Sequence, residues 1–179
     1  MNRRTKTAVL GATLLLTATA AASASAAASE EKRREAAALT GSARMQRPDA
    51  GEDLMFSFDA HLAVKDRDDP SRATGTFEFS HYLNGTGAWA KAEVDCLVTG
   101  GKVAVVSGVV TDTNLDEIKG HRVGVTVHDT GDADRVGYSW AATEDMGPAD
   151  LPRCVSSAPY EKVEKGTGDF TVVPWQPRF

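Results

Sequence analysis

The chain has 179 residues, a length suited to one domain, and carries 25 acidic against 20 basic side chains. That acidic excess argues against nucleic acid or an anionic membrane surface as the main partner. Sixteen glycines, with many Val and Thr, favour strands and turns over helices.

The N-terminus reads as an export signal over residues 1–26. Arg3, Arg4 and Lys6 form a basic leader, and residues 8–22 are apolar or small, with Leu14, Leu15 and Leu16 at the centre. Ala22-Ser23-Ala24 and Ala24-Ser25-Ala26 both fit the small-x-small cleavage pattern. The run is too short and too rich in Thr and Ala for a membrane span, and no Cys follows it to take a lipid. Cleavage near Ala26 removes three of the 20 basic residues and no acid, leaving 17 against 25, a net charge of −8. The expected location is extracellular, with no membrane anchor after cleavage.

Residues 27–50 follow as a flexible lead. The run from Ser29 to Glu35 is of mixed charge, and a helix capped at Ser29 is too short to stand alone in water. Pro48-Asp49-Ala50-Gly51 is a breaker before the domain proper, expected over residues 51–175 with a tail at 176–179. From Leu54 the period becomes two. Phe56, Phe58, Ala60, Leu62 and Val64 share one face of a first strand. A charged turn holding Asp66, Asp68, Asp69 and Pro70 leads to a second strand with Phe77, Phe79 and Leu83 on one parity. Asn84-Gly85 is a hairpin turn. The third strand alternates Ala88, Ala90, Ala92, Val94, Cys96 and Val98 against Trp89, Lys91, Glu93 and Asp95, which puts Cys96 on the apolar face. Gly100-Gly101 turns into a Val-rich strand over 102–111, apolar on both faces and so more buried. After a polar loop with one helical turn near 115–118 come strands at 123–127 and 136–140. Residues 142–159, with three prolines and Cys154, form an irregular excursion. A last strand over 169–173 pairs, on this reading, with a short one near 161–163. Seven or eight short strands with tight links predict an all-β fold, either a small antiparallel barrel or a sandwich.

Two cysteines in an exported chain read as one disulfide, Cys96 to Cys154. Closing 58 residue steps stabilises the fold by about 4 kcal/mol in the chain-entropy model.

The stretches Phe56-Ser57-Phe58-Asp59-Ala60, Gly75 to His81, Val94-Asp95-Cys96-Leu97 and Val103 to Val110 carry a resemblance. So do Val125 to Asp129, Asp134 to Trp140, Cys154, Ala158-Pro159-Tyr160 and Gly168 to Val172. Together they resemble a group of small secreted β proteins from actinobacteria, some labelled repetin. The resemblance spans about residues 50–175. It implies export, a β domain and the Cys96–Cys154 pair, and it brings no activity and no site residue.

Five residues stand out as candidate ligand or partner contacts. Asp129, Asp132 and Asp134 lie in one Gly-containing loop, where clustered oxygens can hold a cation, although Asp and Gly are also ordinary turn residues and no distal Glu completes a calcium loop. His81 shares the parity of Phe77 and Phe79, so it either lines a pocket or ends a strand in a plain hydrogen bond. Trp89 sits on the polar parity of its strand and either stacks on a sugar or anchors a partner protein, or is covered by the N-terminal lead or a second sheet. Trp175, in the C-terminal tail between Pro174 and Pro177, is a further aromatic that can stack on a ligand or anchor a partner protein. Ser139 in Gly137-Tyr138-Ser139-Trp140-Ala141 lies inside an alternating strand, the wrong context for a nucleophile elbow. No zinc spacing and no phosphate loop occurs, so no cofactor, metal or catalytic residue is assigned. The leading expectation is a non-enzymatic binding or surface-interaction scaffold with a protein or cell-surface partner. The alternatives are a hydrolase or lyase that joins His81 to Glu78, Asp95 or Ser139, and an inhibitor that presents residues 142–159. An interior lined by Phe56, Phe58, Phe77 and Phe79 either holds a small apolar ligand or is filled by its own side chains.

Overall fold

The computed structural model describes residues 35–48, 51–131, 133–141 and 151–176. Each alternating run is a strand. β1 is Glu35–Arg44, β2 Glu52–Ala63, β3 Thr74–Leu83, β4 Thr86–Gly100 and β5 Val103–Thr113. β6 is Arg122–His128, β7 Arg135–Tyr138, β8 Glu161–Lys162 and β9 Asp169–Val173. All pair antiparallel in one curled sheet of order β8-β7-β6-β5-β4-β3-β2-β1-β9. The fold is all-β, as the alternation predicts, and barrel-like rather than two stacked sheets. At the β3–β4 hairpin Asn84 and Gly85 both have positive φ, 50° and 81°, which suits the right-handed twist of the strands.

The inner face is aromatic. Phe56 and Phe58 lie opposite Phe79 and Phe77 across the β2–β3 pair, and Ala92 and Ala90 of β4 leave room for the rings. Phe170, Tyr138 and Trp140 complete the cluster, with centroids 5.3 Å apart for Phe58–Phe170 and 4.4 Å for Phe79–Trp140. Burying each such ring is worth about 1.5–3 kcal/mol. Side chains therefore fill the middle of the barrel.

The two ends of the sheet meet at a seam. Met45 bridges Val163, the Gln46 N–H donates to Lys162 O at 2.7 Å, and the Glu164 N–H donates to Arg44 O at 2.8 Å. Beyond the seam, β9 pairs with β1 alone, and its edge is capped by carboxylates. The Phe170 N–H donates to Asp134 at 2.9 Å and the Val172 N–H to Asp129 at 3.1 Å.

Four expectations are corrected. Within the supposed lead, residues 35–44 are strand β1, and the domain starts there rather than at 51. Ala36, Ala37, Ala38 and Leu39 are all buried, because β1 runs between β2 and β9. The signal segment and Ser29 lie outside the described residues. Cys96 does not share the face of Val94. Asp95 is an extra residue in β4, so Val94 pairs with Gly108 and Cys96 with Ser107. That bulge reverses the parity: Leu97 joins the core and Cys96 faces outward. Ser139 is not inside a strand, since β7 ends at Tyr138 and a 3-10 turn covers Ser139–Ala141. Finally, β8 and β9 do not pair with each other. β8 pairs with β7 and β9 with β1.

Outside the sheet, residues 151–160 form a strap over β5, β6 and β7. Cys96–Cys154 anchors it, with Cα atoms 5.4 Å apart. The Cys154 N–H donates to Ser107 Oγ, whose hydroxyl donates to Asp95. The strap lies so close that a Cβ on Gly124 or Gly137 would strike the carbonyl oxygens of Val155 and Ala158. These glycines are required by approach, not by a turn.

Candidate functional site

At the end of the barrel where β2 and β4 begin, the aromatic filling stops short. A cavity of about 320 Å³ opens there, walled by Leu54, Phe79, Ala88, Trp89, Tyr138 and Trp140, with His81 at its rim. The volume lies at the small end of ligand pockets. Trp140 packs on Phe79 and on Tyr138, with centroids 4.4 and 4.7 Å apart, so the floor is a rigid aromatic platform.

Polar groups converge beside it. His81 Nε2 lies 2.8 Å from Glu52 Oε1, and the histidine side chain is 56 % exposed. In the tautomer that donates from Nε2 to this carboxylate, Nδ1 is the acceptor. Glu52 also faces Arg47 Nε at 3.4 Å. The Arg47 Nη2 pairs with Glu161 at 2.8 Å and donates to the Tyr138 hydroxyl at 3.2 Å, and that hydroxyl donates to Glu161 at 2.6 Å. Burial, then the Glu161 hydrogen bond, pushes the Tyr138 phenol well above the ordinary tyrosine range. Burial works against the Arg47 charge, but Tyr138 and Glu161 outweigh it and raise its pKa. Tyr138 is therefore a fixed neutral donor beside a permanent cation.

The expected site residues separate. His81 and Trp89 do come together at this mouth. Trp89 is half-buried and also walls a shallower groove with Met55 and Glu78 on the outer face of the sheet. Asp129 and Asp134 are structural. Asp129 is 6 % exposed, takes the Lys102 ammonium at 2.8 Å and caps β9; Asp134 is 1 % exposed and accepts from the Thr130 and Phe170 N–H groups. Burial alone would raise the pKa of Asp129, but Lys102 and the Val172 N–H reverse that and lower it. Asp132 lies outside the described residues. Among the described residues, no group of three or more His, Cys, Asp or Glu side chains is placed to hold a metal.

The partners weighed for His81 are elsewhere. Glu78 pairs with Lys91, Asp95 with Arg122, and Ser139 Oγ accepts from the buried Gly124 N–H. The true partner, Glu52, was not anticipated. Leu54 faces His81 across β2 and β3, so Glu52 is its diagonal neighbour on the same face. The inhibitor reading loses its rigid protruding loop over 151–159, where the strap lies flat; residues 142–150 are outside the described residues. At the other end of the barrel, the Trp175 N–H donates to Thr99 Oγ1 at 2.7 Å and its indole N–H to Arg67 O at 3.0 Å, which covers this tryptophan in part. No family model, curated protein or solved structure matches the chain.

Proposed function

We propose that the chain is an exported binding domain that takes a small, partly apolar ligand in the mouth of its barrel. The observation that carries this reading is the cavity of about 320 Å³ over an aromatic floor, with His81 at the rim and a fixed donor-acceptor cluster beside it. A ring stacked against Trp140 and Trp89, with a polar group towards His81, matches that lining. Export rests on the N-terminal signal pattern, and the Cys96–Cys154 bridge is compatible with it.

The test is a native mass spectrum of the protein from culture medium, before and after reduction, followed by titration of the adduct lost on denaturation. The expected species is cut near Ala26, lacks two hydrogens and carries a ligand. Ala88→Leu, which fills the mouth, should abolish rebinding without unfolding the sheet. Free thiols or an uncut chain defeat the export reading, and rebinding that survives Ala88→Leu defeats the site.

A second reading has one observation in its favour. Glu52 orients His81 as a carboxylate orients a general base, which leaves Nδ1 to take a proton from a bound ligand. Turnover of the identified ligand by the native chain and its loss in His81→Gln would support a hydrolase or lyase. Unchanged ligand after prolonged incubation leaves the binding domain standing.

A further inference from the structure

We propose a second ligand site at the opposite end of the barrel, built for a small amphiphile with a carboxylate head. Leu54 and Leu62, eight residues apart on β2, mark the two ends, about 26 Å from each other at ~3.3 Å per residue. At the Leu62 end a cavity of about 320 Å³ is walled by Ala37, Leu62, Leu97 and Val98, with Arg67 and Trp175 over it. Ala37, Leu62 and Leu97 are core residues, so the floor of this cavity is the end of the hydrophobic core.

Arg67 supplies the head-group contact. Its Nε is buried and has no hydrogen-bond partner. The acidic turn beside it offers no relief: Asp66 pairs with Lys65 and Arg72, and Asp69 with Arg72 and Ser71. Asp68 lies at the exposed rim and forms no ion pair with Arg67. Among the described residues no carboxylate neutralises this guanidinium. A buried cationic donor left unbonded is costly, and a planar carboxylate is the group that fits the guanidinium fork. The apolar walls then take a short hydrocarbon body. Trp175 holds the outer wall in place through its two hydrogen bonds, to Thr99 and to the Arg67 carbonyl.

The experiment is a titration of the intact exported chain with octanoate and with 1-octanol at pH 7, followed by amide and indole NMR. Octanoate should bind saturably and shift the Trp175 indole and the Leu97, Val98 and Thr99 amides, leaving those of Ala88 and Tyr138 in place. It should bind at least about tenfold tighter than octanol, the ratio expected of one charge-assisted contact. In Arg67→Met that preference should vanish while the alcohol still binds. Shifts confined to the Ala88 end, equal affinity for acid and alcohol in the unaltered protein, or no saturable binding each overturn the proposal. None of these results depends on whether the mouth near His81 binds its own ligand.

Discussion

Asp134→Ala tests whether the seam is held by carboxylates rather than by a cation. Asp134 is 1 % exposed and accepts two backbone N–H groups, at 2.8 Å from Thr130 and 2.9 Å from Phe170. Alanine leaves the buried Phe170 N–H with no acceptor, a cost of about 1–3 kcal/mol, and the less buried Thr130 N–H partly so. A loss of about 3 kcal/mol follows, against a total of about 5–15 kcal/mol for an ordinary domain. For a domain of this size the melting temperature should fall by about 10 °C. Asp134→Asn keeps one acceptor oxygen and should lose about half as much. Guanidinium unfolding gives the free energies, and hydrogen exchange at Phe170 should lose its protection. Asp68→Ala, at an exposed position, is the control and should stay within about 0.5 kcal/mol of the parent. Neither EDTA nor added Ca²⁺ should move the melting temperature, since Asp129 and Asp134 already have protein partners. An Asp134→Ala protein as stable as the control, or a clear rise in melting temperature with Ca²⁺, would refute the reasoning.

Replacing both cysteines by serine should cost about 4 kcal/mol, from the 58-residue separation of the pair. The near-UV circular dichroism of the aromatic interior should survive this, because the strap lies outside the sheet; loss of that signal would place the bridge in the core. Gly137→Ala should dislodge the strap, costing at least about 1–3 kcal/mol as an overpacking change, and exchange at Tyr160 should rise; an unaffected strap would show that the close approach is dispensable. His61 lies between Glu35 and Asp59, whose hydrogen bonds outweigh burial and raise its pKa. A raised folded pKa stabilises fully below the unfolded value of about 6.5, and the gain is lost as pH rises through the folded value. Amides at the start of β1 should therefore exchange faster above neutral pH, beyond the intrinsic rise in rate, and His61→Gln should remove that excess.

The runs that alternate cleanly could be read directly, because one buried face imposes a period of two on Phe56, Phe58, Phe77 and Phe79. β1 could not. Ala36-Ala37-Ala38-Leu39 is buried on both faces, so it shows no alternation, and three alanines behind a charged run resemble a helix. The face of Cys96 was lost to one extra residue, Asp95, since nothing local in the sequence announces a bulge. The site was half legible. Asn84-Gly85 sets the β3–β4 register and places His81 opposite Ala88, near Trp89. The link from β2 to β3 runs over residues 64–73 and sets no register that can be read beforehand, so Glu52 stayed invisible as the partner of His81. Arg47 and Glu161 reach the same cluster from sequence neighbourhoods more than a hundred residues apart, and only the closed seam joins them.

That seam also dictates an order of assembly. Arg44 is bonded to Thr167 at a sequence separation of 123, and the far side of β1 has no strand to pair with until β9 arrives. Contacts so distant along a chain form late and slowly. A polypeptide emerging N-terminus first must therefore carry β1 as an open edge, with its row of unpaired amides and carbonyls available to any other extended chain, until β9 is released. β9 thus acts as the clasp of the molecule. A product truncated before Asp169 lacks β9, the strand that covers β1, and is left with the kind of edge on which chains aggregate.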